Sequence, residues 1–266
     1  MAAPESEVAR LLSARRGRVL VLTISNPRAR NALAPAIYPA AVAALSEAAT
    51  DDGIGAVVLT GEGEHFCGGG NLNRLRAQRE LPPDGQIASL NAFHEFVMAL
   101  RGCPKPVIAA VEGAAAGGGF SVCLGCDLIV AAEDAKFVMS YVKVGLSPDG
   151  GGSDSLAHAL PPQAALELLL DGAPVTAARL HALGVVNRVV ARGRALDEAL
   201  AWAERLAQGP AQAQARIKRL VYAARARTRQ AQLDAERDTF IESLYHDECG
   251  EGIAAFLDKR APRFVR

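Results

Sequence analysis

Two apolar runs in this 266-residue chain stop abruptly in glycines. Ala56-Val57-Val58-Leu59-Thr60 leads to Phe66-Cys67-Gly68-Gly69-Gly70-Asn71-Leu72. Pro106-Val107-Ile108-Ala109-Ala110-Val111 leads to Gly113-Ala114-Ala115-Ala116-Gly117-Gly118-Gly119. Glycine lets a backbone turn sharply at a strand end and lets a ligand approach the main chain. Two such ends brought together offer two backbone N–H groups to one oxygen atom, an oxyanion hole. The same pattern also describes two ordinary strand-to-helix turns, and spacing alone does not choose.

The flanking segments supply the alternation of an α/β fold. Residues 18–25 read as a strand, and residues 35–49, opened by Pro35 and rich in alanine, as a helix. Residues 73–86 carry charges, Pro82-Pro83 and Asp84-Gly85, and read as a surface segment. A helix over 87–101, a strand over 106–111, a short helix near 119–125 and a strand over 127–131 follow. Strand-turn-helix units repeated in this way predict an α/β fold. From Pro210 onward no strand is legible, and Gly209-Pro210 makes a boundary between residues 1–208 and 209–266. Arg216, Lys218, Arg219, Arg225 and Arg227 form a basic stripe that reads as a solvated helix face or a subunit contact.

Composition excludes several classes. Basic and acidic residues balance at 29 each, so net charge points to neither nucleic acid nor an anionic membrane. No apolar run approaches the roughly 20 residues needed to span a bilayer. The N-terminus, MAAPESEVAR, lacks the basic-then-apolar order of a secretory signal, so a cytoplasmic location is the default expectation. The cysteines 67, 103, 123, 126 and 249 are odd in number and suggest no disulfide scaffold. Cys123 and Cys126 have CxxC spacing without a second pair, and the five histidines form no HExxH pattern, so no metal site is expected. Neither glycine cluster has the GxxxxGK[ST] or GxGxxG form, which disfavours nucleotide hydrolysis and a Rossmann cofactor.

Five segments resemble the crotonase superfamily, also called the enoyl-CoA hydratase/isomerase family. They are NPRARNAL (26–33), AVVLTGEGEHFCGGGNL (56–72), KPVIAAVEGAAAGGGFSVCLGCDLIVAAEDAKF (105–137), KVGLSPDGGG (143–152) and AFLDKR (255–260). They occur in the family's order along nearly the whole chain. The resemblance implies a spiral of ββα repeats over residues 1–208 and a helical C-terminal part, 209–266, that packs between subunits. It also implies a homotrimer or a dimer of trimers, an acyl-CoA thioester as substrate, and no cofactor beyond the coenzyme A moiety of that substrate.

The resemblance further implies roles for single residues. The backbone N–H groups of Gly70 and Gly118 become the oxyanion donors. The backbone around Gly68, Gly69, Gly70, Asn71 and Leu72 receives the adenine. Arg28 and Arg30 lie near the phosphates, and Lys259 reaches them from a neighbouring subunit; each of these charges also reads as plain surface. Ser121 and Tyr141, with Gly119 in the substrate pocket, fall where hydratases of the family carry two glutamates. Neither is a carboxylate, and neither has an activating partner visible in the sequence. Asp149 occupies a third position used by several branches, and the run AKFVMSYVKVGLSPDGGG most resembles phenylacetate-pathway enoyl-CoA isomerases. On residues alone, Asp149 reads as a cap or turn former ahead of Ser153.

A single carboxylate is enough to carry a proton from one carbon to another, whereas adding water calls on a second acid. The pattern therefore favours a double-bond shift, from 3-enoyl-CoA to 2-enoyl-CoA, with Asp149 as base. The rivals are a hydratase that uses Asp149 alone, a non-catalytic acyl-CoA binder, and a nucleic-acid binder that uses the basic stripe. Phe93, Phe96, Met98, Met139 and Tyr141 read as core, with an aromatic-accepting pocket as the alternative.

Overall fold

The computed structural model describes residues 9–264. Residues 1–8, most of the stretch read for a leader, lie outside them. The strands are β1 Arg10–Arg16, β2 Val19–Ser25, β3 Ala56–Gly61, β4 Val107–Val111, β5 Ala114–Ala116, β6 Leu128–Ala132, β7 Lys136–Val138, β8 Val175–Thr176 and β9 Arg188–Val190. The helices of the core are α1 Ile37–Thr50, α2 Leu72–Gln78, α3 Asp84–Gly102, α4 Gly118–Gly125, α5 Gly152–Ala159, α6 Pro162–Asp171, α7 Ala177–Ala182 and α8 Ala195–Ala207. The helices α9 Ala211–Ala224, α10 Arg229–Leu244 and α11 Asp247–Leu257 follow.

The apolar runs of β2, β3 and β4 are buried on both faces, as parallel strands covered on two sides must be. Alternate residues divide between two cores. Leu20, Leu22, Val57, Leu59, Val107 and Ala109 pack in the same core as Ile37, Leu45, Phe96 and Leu100 of α1 and α3. Val19, Val21, Val58, Ile108 and Ala110 pack with Ala199, Leu200 and Ala203 of α8. The large sheet runs β1-β2-β3-β4-β6-β9, parallel except for β1 against β2.

After each inner strand the chain breaks for a few residues and enters a second sheet. β4 continues into β5 and β6 into β7, which pair in parallel, with β8 antiparallel beyond. The continuation of β3 joins the same layer through a bridge between Cys67 and Ala115. Strand, second strand and helix repeat as a spiral: the α/β class expected from the sequence pattern and the ββα repeat that the family resemblance implies.

Residues 73–86, expected as a surface segment, are mostly exposed and carry helix: Asn71 caps α2 by accepting from the N–H groups of Asn73 and Arg74. Pro83 is the cap residue of α3 and Asp84 its first residue, so the proline pair marks a helix start. The basic stripe is not simply solvated. Lys218 Nζ reaches Asp127 Oδ2 at 2.5 Å and Tyr222 donates to Asp127 Oδ1 at 2.7 Å. Arg216 is buried and pairs with Glu242 of α10 at 3.0 Å. Burial pushes the Asp127 carboxyl up, and Lys218 opposes that rise. Met98, read as core, is 68% exposed.

Candidate active site

The two glycine-rich strand ends meet. Cys67 N–H donates to Ala114 O at 3.0 Å, and Ala116 N–H donates to Cys67 O at 2.9 Å. Just beyond, Gly69 takes φ +87°, and a Cβ there would stand 2.5 Å from Ala116 O and 3.3 Å from Gly118 N. Only glycine allows that approach. Gly118 is the first residue of α4, where helix N–H groups lack intrahelical acceptors. Among the described residues, neither the Gly70 nor the Gly118 N–H donates to a protein acceptor.

The loop carrying Asp149 lies against the same place. Gly150, at φ +58°, passes so close to Phe93 that a Cβ would be 2.5 Å from its ring. The buried hydroxyl of Ser121, on α4, donates to Asp149 O at 2.8 Å. The Tyr141 phenol donates to Asp149 Oδ1 at 2.5 Å. The Tyr141 ring in turn stands 3.8 Å from where a Cβ on Gly117 would be. Burial first, then the charge and hydrogen bond of Asp149, push the Tyr141 phenol far above its usual range. It therefore stays protonated and acts as a donor. Ser121 and Tyr141 thus have a partner that the sequence did not reveal: both hold Asp149, one by its backbone and one by its carboxylate.

Tyr38 and Phe93 form the floor, with ring centroids 5.3 Å apart. Phe93 also lies 3.5 Å from a Cβ placed on Gly118. Burial pushes the Tyr38 phenol up to about 12, Arg74 opposes this, and Asp149 adds to it. Tyr38 was missed in sequence because a tyrosine in an apolar helix stripe looks like core. Its one signal is the phenol, which needs a polar neighbour when buried.

The segment 26–33 braces the first glycine turn. Asn31, buried and at φ +56°, donates through Nδ2 to Glu62 O at 2.9 Å and His65 O at 2.6 Å. Gly68 N–H donates to Arg30 O, and Leu33 N–H to Gly69 O, each at 2.7 Å. The side chains of Arg28 and Arg30 are exposed beside this turn, as is Leu72 at the start of α2. Lys259 is exposed, far along the chain, just after α11.

A family model described as "Enoyl-CoA hydratase/isomerase" matches residues 14–266. The chain belongs to this family. Relatives within the enoyl-CoA hydratase/isomerase family carry both kinds of name. The chain is 35% identical to the 1,2-epoxyphenylacetyl-CoA isomerase of Escherichia coli K12, over 93% of this chain and 95% of the relative. It is also 35% identical to the 2,3-dehydroadipyl-CoA hydratase of the same organism, over 96% and 98%. In three dimensions it is similar to an enoyl-CoA hydratase from Polaromonas sp. JS666, with a TM-score of 0.94, 52% identity, and 96% and 99% of the two chains covered. Membership of the enoyl-CoA hydratase/isomerase family makes this an acyl-CoA enzyme, and the relatives' names do not choose between isomerisation and hydration.

Proposed function

We propose that the protein shifts a double bond in an enoyl-CoA, from the 3 to the 2 position. The thioester oxygen lies between the Gly70 and Gly118 N–H groups. Asp149 removes a proton from the carbon between thioester and alkene. The electron pair moves into the carbonyl, and the enolate oxygen takes the charge. Two pre-aimed donors stabilise it, each worth about 3–4 kcal/mol, and the N-terminal end of α4 adds to them. The protonated Asp149 returns the proton two carbons along as the carbonyl re-forms. Tyr141 occupies Oδ1, which leaves Oδ2 to carry the proton.

The observation that carries this reading is the bond from Tyr141 to Asp149, where Tyr141 and Ser121 stand in place of two catalytic glutamates. The carboxylate of this pair is held by donors and has no second carboxylate beside it in those positions. The hydratase reading, with Asp149 alone activating water, is the rival. For coenzyme A we assign the adenine to the backbone of 68–72 (Gly68, Gly69, Asn71 and Leu72) and the phosphates to Arg28 and Arg30. Lys259 of a neighbouring copy joins them in a trimer or a dimer of trimers.

Incubation with 3-hexenoyl-CoA and, separately, with crotonyl-CoA tests the reading. Formation of the conjugated 2-enoyl thioester, without water addition to crotonyl-CoA, is expected. Hydration of crotonyl-CoA with no isomerisation would replace the isomerase with the hydratase.

A further inference from the structure

The polar contacts between α2 and α3 are incomplete. Arg74 lies on the first turn of α2, four residues after Gly70. Its neighbour Leu75 approaches to 3.8 Å of a Cβ placed on Gly70, so this turn adjoins the proposed oxyanion donors. Both Nη atoms of Arg74 reach Ser89 Oγ of α3 at 3.3 Å. Its Nε is buried without an acceptor, and among the described residues no carboxylate pairs with it. One helical turn before Ser89, Gln86 Oε1 is also buried and lacks a donor. Buried polar atoms without partners are rare, and one of them belongs to this arginine. A guanidinium with five N–H donors is met by a single neutral hydroxyl.

The charge of Arg74 is felt inside the site. It pulls the Tyr38 phenol down, while Asp149 pushes the same phenol up. Tyr38 packs on Phe93, and Phe93 lies against both Gly118 and Gly150. The aromatic floor therefore lies within electrostatic reach of both the Asp149 carboxylate and the Arg74 cation.

We infer that Arg74, supported by Ser89, forms a subsite for a carboxylate at the far end of the acyl chain. The favoured substrate class is then the coenzyme A thioester of an unsaturated dicarboxylic acid. The planar fork of arginine matches a carboxylate in two parallel hydrogen bonds, whereas a neutral hydroxyl would leave the charge unpaired. This rests on the acyl-CoA site proposed above, but not on the direction of its chemistry.

Saturated, unreactive thioesters keep the two apart. Adipyl-CoA and hexanoyl-CoA have chains of equal length and differ in the terminal carboxylate. Calorimetry on the full-length protein should give at least about tenfold tighter binding of adipyl-CoA. In Arg74→Met the two affinities should converge, the loss falling on adipyl-CoA, and Arg74→Lys should keep part of the difference. Equal affinities in the wild type would overturn the inference. So would a preference that survives in Arg74→Met, or an equal loss for both thioesters, which would assign Arg74 to the coenzyme A moiety. If neither thioester binds, the acyl-CoA site itself is lost. Tenfold preference without isomerisation would keep the subsite and reject the proposed reaction.

Discussion

The phenol of Tyr141 donates to Oδ1 of Asp149 at 2.5 Å, and the two residues are separated by the loop that turns at Gly145. The bond holds the Asp149 carboxylate on a phenol whose ring lies against Gly117, the residue before Gly118. It also makes the first prediction specific. Asp149→Asn keeps an acceptor for Tyr141 and preserves the shape of the loop, but it cannot take a proton. Isomerisation should fall about 100-fold or more while binding of coenzyme A thioesters persists. Steady-state turnover of a 3-enoyl-CoA, with calorimetry alongside, measures both; near-wild-type turnover would remove Asp149 from the chemistry.

The buried tyrosines predict an alkaline limit to stability. Tyr38 is pushed to about 12, and Tyr141 and Tyr222 higher still, against an ordinary value of 10.0. Below pH about 10 these phenols are protonated in both folded and unfolded chains and contribute no pH dependence. Above it the unfolded chain loses protons that the folded chain keeps, so stability falls as pH rises toward 12 and beyond. Ultraviolet titration should show these tyrosinates appearing together with loss of circular dichroism. Smooth ionisation of all tyrosines in a chain that stays folded would contradict this.

Gly69→Ala should damage both stability and turnover. A Cβ would meet Ala116 O at 2.5 Å, and φ +87° is itself unfavourable for alanine. The expected cost is roughly 1–3 kcal/mol in chemical denaturation, with turnover reduced because the strand ends are forced apart. Unchanged values for both would mean that the loop can relax without moving Gly118.

Lys218→Met tests the tie between α9 and the core. Asp127 would keep Tyr222 and the N–H of Val107 at 2.7 Å but lose the Lys218 ammonium at 2.5 Å. Removing one partner of a buried ion pair costs about 3–5 kcal/mol. Denaturation should show this loss, and the double change with Asp127→Asn should recover part of it.

The C-terminal helices carry Phe240 (65% exposed), Tyr245 and Phe256 (83% each) and Leu257 (73%). Large side chains this exposed, on α10 and α11 and at the cap of α10, are a surface to be covered. Light scattering at micromolar concentration should give a trimer or hexamer, and a mass near 27.8 kDa would reject it.

Much of the architecture was legible because β2, β3 and β4 are short unbroken apolar runs between helical segments. The glycine turns were legible for the same reason: glycine marks backbone constraints that no other residue tolerates. The Tyr141–Asp149 bond was not, since it depends on where the turn at Ser140–Val144 aims one side chain. The proline pair marked a surface segment without showing the start of α3, because a proline that breaks one helix equally well begins the next. Arg216 and Lys218 looked like surface charges, and only their partners Glu242 and Asp127, distant in sequence, bring them inside.

The two proposed oxyanion donors hang from neighbouring strands, with Val57 opposite Val107 and Thr60 opposite Ala110. The sheet therefore acts as a ruler. Each donor lies a fixed number of residues past a hydrogen-bonded pair, and one residue of strand measures about 3.3 Å. A single residue inserted between Ala110 and Gly117 would carry one N–H off the mark by more than the length of a hydrogen bond. Evolution can redecorate the acyl pocket of such a molecule freely, yet it cannot change the length of these two strand ends except together.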